Sequence, residues 1–152
     1  MTDLNPLSVA SIASQVQTRR RTAATVIEEV IARLAFYDGV QNAVWISRFD
    51  PADLRVAAAA VDDRIVRGET LPLAGVPFAV KDNIDVLGLD TTAACPAFAY
   101  TPTRAATVVE RLIAAGAIPI GKTNLDQFAT GLNGTRSPYG IPRNAYNRAY
   151  VS

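Results

Sequence analysis

The apolar run Val76-Pro77-Phe78-Ala79-Val80 turns abruptly into Lys81-Asp82-Asn83. This is the pattern of a buried strand delivering polar groups at its carboxyl end, where parallel sheets place their active sites. A lysine there can act as a general base when it is neutral, which requires burial or a neighbouring positive charge. Otherwise Lys81 is simply the first solvated residue after the strand. The chain contains no histidine, so it cannot by itself assemble a Ser-His or Cys-His pair or a His-containing zinc site. Any general base it supplies is Lys, Asp, Glu or Tyr.

A second pattern competes with this one. Gly116-Ala117-Ile118-Pro119-Ile120-Gly121-Lys122-Thr123 satisfies the spacing of a phosphate-binding P-loop. A working P-loop follows a strand, leads into a helix and turns a run of backbone amides toward phosphate. Here the first glycine ends a helical pattern, and the intervening residues are mostly bulky and apolar. One of them is a proline, which has no amide hydrogen. Cys95 sits among small residues with no candidate base beside it and reads as a structural, partly buried thiol. Asp126 stands near the start of an expected helix, where capping or dipole stabilisation explains it. Thr130, Thr135, Ser137 and Tyr139 offer hydrogen-bonding groups in a loop, although Ser137-Pro138 and Tyr139-Gly140 are ordinary turn pairs.

The elements that must carry these residues follow from apolar spacing. Val26, Ile27, Val30, Ile31 and Leu34 predict a helix over Thr22 to Asp38, with Thr25 and Glu28 as a capping box. A shorter helix is expected over Ser8 to Thr18, with Ser8 as its cap and Asn5-Pro6 as the breaker in front. Ala43 to Phe49 reads as a strand, and Pro51 to Arg67 as a helix closed by Gly68. Thr107 to Ala115 is helical and ends at Gly116. Ala117 to Ile120 is a short strand whose proline argues for an edge or strand-end position. One or two helical turns are expected over Asn124 to Gly131, and the remainder is rich in Gly, Pro, Asn and Arg, as an extended surface segment. Helices alternating with short apolar strands predict an α/β layered domain with a largely parallel sheet.

The 152 residues are 49% apolar with a net charge of +1, enough for one buried core and a poor match for a disordered chain or a nucleic-acid surface. Arg19, Arg20 and Arg21 read as a solvated helix junction rather than a basic patch. The start lacks the basic and apolar regions of a signal peptide, and no apolar run approaches bilayer length. With a single cysteine no intrachain disulfide can form, and a cytoplasmic location is expected.

Gly75 to Asn83, Gly116 to Asn124 and Phe128-Ala129-Thr130-Gly131 together resemble the amidase-signature family in order and spacing, over most of Leu71 to Tyr150. Thr92 to Tyr100 and Leu125 to Leu132 look most like the allophanate hydrolases within it. The resemblance implies the N-terminal part of one amidase-signature α/β domain with a mixed, largely parallel sheet flanked by helices. Its helical start covers about residues 6–38, its α/β core about 43–131 and its extended segment 132–152. It also implies a Ser-cis-Ser-Lys triad that hydrolyses amides through an acyl-enzyme, with Lys81 as the lysine. Ala129, Thr130, Gly131 and Leu132 would line the pocket of a small-molecule substrate such as allophanate, degraded to ammonia and carbon dioxide. Neither metal nor cofactor is implied, and no nucleic-acid or membrane partner; the full-length protein is expected to form a homodimer.

The family pattern continues with a Gly-Gly-Ser-Ser run directly after Tyr150-Val151-Ser152, and neither Ser137 nor Ser152 stands at a catalytic place. The 152 residues alone are therefore expected to be inactive, and their unpaired sheet edge to make them poorly stable. Three other readings remain: an amidase of the same family acting on a different small amide, a nucleotide binder built on Gly121-Lys122-Thr123, and a non-catalytic partner that keeps only the lysine-bearing half of the fold.

Overall fold

The computed structural model describes residues 8–152, so the expected breaker Asn5-Pro6 and the first residues of the helical start lie outside the described residues. Two helices open the fold. The Ser8 hydroxyl accepts the Ser11 amide at 3.2 Å and starts α1 (Val9–Gln17), as expected. Helix α2 (Ala23–Asp38) is capped by Thr22, whose Oγ1 accepts the Thr25 amide at 3.0 Å, and not by a box of Thr25 and Glu28. The free amides of Ala23 and Ala24 are taken by the Asp62 carboxylate, at 2.7 and 3.0 Å, from the neighbouring helix. Glu28 is thus released to the surface, where Arg55 holds it at 2.5 and 3.0 Å. Arg19 is likewise employed, donating to Ile65 O and Val66 O at 3.1 and 3.3 Å. It satisfies the last carbonyls of the helix that ends at Val66 rather than facing solvent alone.

Strand β1 (Trp45–Arg48) leads into α3 (Pro51–Val66), where the Asp50 carboxylate accepts the Ala52 amide at 2.8 Å and Pro51 stands in the first turn. Gly68, at φ +88°, follows the helix end as its left-handed residue. Strand β2 (Pro77–Lys81), helix α4 (Thr107–Ala114) and strand β3 (Ile118–Thr123) complete the regular elements among the described residues. Gly116 takes φ +96° between α4 and β3.

The sheet has the order β1-β3-β2, with β2 parallel and β1 antiparallel to β3, so it is mixed and parallel in only one of its two pairings. The proline-bearing strand β3 is central, not an edge, but Pro119 stands near its start, outside the pairing with β1, as a strand-end proline. It is tolerated because the ladder shifts there: Phe78 pairs with Pro119 while Ala79 pairs with Gly121, leaving Ile120 as a bulge. Strand β2 buries Val80 but exposes Ala79 and Lys81, so it is half-buried where full burial was expected. Asn124 to Gly131 is not helical. It contains only a 3₁₀ turn, Gln127–Ala129, with Phe128 at φ 52° and ψ 24°. Residues 132–152 hold no helix or strand, as their composition predicts, and are tied by a bridge between Arg143 and Val151.

Packing among the described residues divides into three apolar groups, the smallest of them Ala13, Val76 and Ala117. Ile118 and Ile120 of β3 join Val26, Ile27, Leu54 and Val61 of α2 and α3. Val80 packs with Val86, Ala105 and Val109 of α4. The approach of β1 to β3 is close at Gly121, where a Cβ would stand 2.5 Å from Ser47 O and 2.8 Å from Arg48 Cα. Gly121→Val in the full-length protein should therefore force the two strands apart and cost about 1–3 kcal/mol. Thermal unfolding reads this as a fall in Tm, and an unchanged Tm would contradict the close approach.

Candidate active site

Lys81 is the last residue of β2 and pairs with Thr123 of β3. Its carbonyl accepts the Ile84 amide at 2.9 Å, which turns the chain away from the sheet. The side chain is exposed, and among the described residues its ammonium makes no hydrogen bond or ion pair.

The next residue does the opposite. Asp82 is fully buried, and its Oδ1 lies 3.1 Å from Nζ of Lys122, also fully buried. This contact is charge on charge: Oδ1 accepts no hydrogen bond of acceptable angle. Oδ2 accepts from Thr92 Oγ1 at 2.5 Å, Thr92 N at 3.1 Å and Ala94 N at 3.4 Å. Lys122 completes its donors on Asp90 O at 3.1 Å and Thr91 Oγ1 at 3.0 Å. Thr91 Oγ1 donates in turn to Asp85 at 2.7 Å, and Tyr100 OH donates to the same oxygen at 2.8 Å. That last bond holds the Tyr100 phenol above its ordinary range.

The turn gripped by Asp82 supports the expected pocket segment. Ala93 N donates to Asp82 O at 3.2 Å, Phe128 N donates to Ala93 O at 2.9 Å, and Gln127 Nε2 donates to Ala94 O at 3.1 Å. Ala93, Ala94, Phe128 and Ala129 all have φ between 49° and 57°, a left-handed conformation unusual for residues other than glycine. Of the expected pocket residues, Ala129, Thr130 and Leu132 are exposed and Gly131 is half-buried. The Thr130 hydroxyl is spent on Gln127 O at 2.8 Å. Phe128 stacks edge-on with Phe98 at 5.3 Å, and Phe98 with Tyr100 at 5.6 Å.

Asp126 does not cap the turn that follows it. Its carboxylate accepts the amides of Arg136 at 2.6 Å, Gly134 at 3.0 Å and Asn133 at 3.2 Å. It thereby closes the loop around Gly131, where any Cβ would collide with the same carboxylate. Cys95 is half-buried, as expected. The P-loop pattern does not build a phosphate site: Gly116 closes α4, Gly121-Lys122-Thr123 lies within β3, and Lys122 is committed to Asp82. Among the described residues no three His, Cys, Asp or Glu converge to hold a metal, and no helix is long and apolar enough to cross a membrane. A groove of about 690 Å³ between α2, β1 and α3 is lined by Leu34, Trp45, Arg48 and Phe49, and by none of the candidate site residues.

The profile of the Amidase family matches residues 25–152. The chain belongs to the amidase family. A urea amidolyase of Saccharomyces cerevisiae is 58% identical over 113 residues, covering 74% of this chain and 6% of that protein. One subunit of the glutamyl-tRNA(Gln) amidotransferase of Gloeobacter violaceus is 40% identical over 146 residues, covering 95% of this chain and 29% of its own length. The structure of an allophanate hydrolase variant from Kluyveromyces lactis superposes with a TM-score of 0.78 at 44% identity, covering 97% of this chain and 24% of that one. The chain thus spans less than a third of each of these amidase relatives.

Asp82, Thr92, Gln127 and Lys122 were not legible as site residues. The one available signal was a lysine inside an apolar strand, since lysine is almost never fully buried unpaired. The P-loop spacing drew attention to the wrong property of Lys122.

The Arg136 amide, followed by those of Gly134 and Asn133, holds the Asp126 carboxyl below the ordinary aspartate range. A depressed folded-state pKa adds stability above the ordinary range, and that stability is lost as pH falls through it toward the folded value. Amide exchange at Asn133, Gly134 and Arg136, corrected for intrinsic rates, should accelerate over that acid window in the full-length protein. Asp126→Asn should remove most of this pH dependence. Equal pH dependence in the variant would show that Asp126 does not hold the loop.

Proposed function

We propose that this chain supplies the general base, Lys81, and part of the substrate pocket, Ala129 to Leu132, of an amidohydrolase acting on allophanate. The observation that carries the reading is the higher identity to a urea amidolyase than to a glutamyl-tRNA amidotransferase within one amidase family. In this reading the two serines come from the part of the amidase domain that these residues do not span. Neutral Lys81 takes the proton that the nucleophilic serine passes through the bridging serine. The serine oxygen bonds to the amide carbon, the C–N bond breaks, and Lys81 returns the proton to the departing nitrogen. Water then releases the acyl group.

Three features support the assignment. Lys81 projects from the carboxyl end of a parallel strand, its ammonium is free of ion pairs among the described residues, and the pocket segment hangs from the turn bonded to its neighbour Asp82. Small residues at 129 and 131 suit a small planar amide. A cytoplasmic location agrees with the single free cysteine, and a homodimer of the full-length protein is part of the same reading.

In the full-length protein Lys81→Ala should lower kcat for ammonia release from allophanate on the order of 10⁴-fold. Retention of wild-type turnover by that variant would remove Lys81 from the mechanism. Turnover of other small amides in preference to allophanate would assign the protein to another member of the family.

A further inference from the structure

Asp82 is the residue through which Lys81 and the pocket segment share one support. Its amide donates to Thr123 O at 3.2 Å, which anchors it to the end of β3, and Lys122 on that same strand balances its charge. Every hydrogen bond made by Oδ2 goes to one turn, Thr92 to Ala94. That turn supplies the carbonyls that hold Gln127 and Phe128 immediately before Ala129.

We propose that Asp82, held by Lys122, is a positioning residue: by gripping the Thr92–Ala94 turn it sets the placement of the Ala129–Leu132 segment relative to Lys81. The inference rests on the assignment of Lys81 as base and of Ala129 to Leu132 as pocket lining. A buried pair serving stability alone can be exchanged for apolar groups with little loss. Here the carboxylate does more than balance charge. Four residues beyond it, Ala93, Ala94, Phe128 and Ala129, keep left-handed conformations that persist only where the surroundings impose them. Without the acceptor at Oδ2 the turn is free to relax, and Phe128 and Ala129 move with it. A displacement of about 1 Å in a reacting geometry costs on the order of 100-fold in rate.

The experiment compares two charge-balanced double variants of the full-length protein. Asp82→Asn with Lys122→Met keeps a carbonyl oxygen that accepts from Thr92, whereas Asp82→Ala with Lys122→Met removes the acceptor. The first should retain kcat within about tenfold, and the second should lose about 100-fold in kcat while KM stays within about threefold. Equal kcat in the two double variants overturns the positioning role and leaves only a structural pair. Where the alanine variant does not fold, Thr92→Val serves instead. It deletes one bond to Oδ2 at nearly constant volume, lowers Tm in part, and below that Tm should lower kcat about tenfold with KM unchanged; an unchanged kcat overturns the proposal. Lys81→Ala assayed in parallel separates this inference from its foundation. Hydrolysis by that variant overturns the base assignment and the positioning role together, whereas failure of the Asp82 variants alone leaves Lys81 in place.

Discussion

A fully buried lysine and aspartate in contact constrain everything around them. Lys122 and Asp82 are both fully buried, 3.1 Å apart, and neither could stand there without the other. Desolvating such a pair costs several kcal/mol per ion, recovered only when geometry is good and the remaining donors and acceptors are met. The structure meets them asymmetrically. The ammonium donates to Asp90 O and Thr91 Oγ1 and meets Asp82 Oδ1 as an ion pair, whereas the carboxylate concentrates its hydrogen bonds on Oδ2. Removing either partner alone leaves an uncompensated buried charge, at about 3–5 kcal/mol. The pair therefore contributes little to net stability, yet it ties the ends of β2 and β3 and the 90–94 loop to one another.

That fixing matters because the backbone it supports is strained. Left-handed geometry costs roughly 1–2 kcal/mol per non-glycine residue, and four such residues lie in the two turns bonded directly or through one link to Asp82. Alanine at three of those positions keeps the penalty near its minimum, because β-branched side chains would crowd it further. Phe128 is the exception, and its ring is stacked edge-on against Phe98. Strain of this kind is held by surrounding bonds rather than by local preference, which accounts for the density of backbone carbonyl acceptors around residues 93 and 94.

What sequence could reveal follows the range of the interaction involved. Ser8, Asp50, Gly68 and Gly116 were readable because a cap or a left-handed stop is decided within a few residues. The start of α2 was legible but its cap was not: Thr22 itself accepts the Thr25 amide, and Asp62, far along the chain, takes the next free amides in place of a box closed by Glu28. Pro119 pointed to an edge or a strand end, and the second holds: it is the second residue of the central strand β3, before the residues that pair with β1. Asn124 to Gly131 has helical composition, but Asp126 turns its carboxylate onward to residues 133–136 and Asn124 donates to Ala43 O and Gly140 O, at 2.9 and 3.0 Å. No periodicity encodes such contacts. Lys81 was legible because the edge of an apolar run is a local feature; its neighbour's grip on Thr92 was not.

The chain has two lysines and no histidine, and the fold treats the lysines oppositely. Lys122 lies inside β3 with its ammonium committed to Asp82, so losing a proton would leave a buried carboxylate without its counter-charge. It cannot cycle between charged and neutral forms without reorganising the loop it supports. Lys81 stands exposed, one residue from Asp82 at the strand end, and makes no ion pair among the described residues. A base must change charge in every turnover, and a structural cation must never do so. On the proposed assignment of Lys81 as base, these tasks fall to two side chains joined to Asp82, one through the peptide bond and one through space. That division rests on Lys81 and Lys122 sitting on adjacent parallel strands, so that the end of β2 presents an exposed lysine while β3 holds a buried one against Asp82.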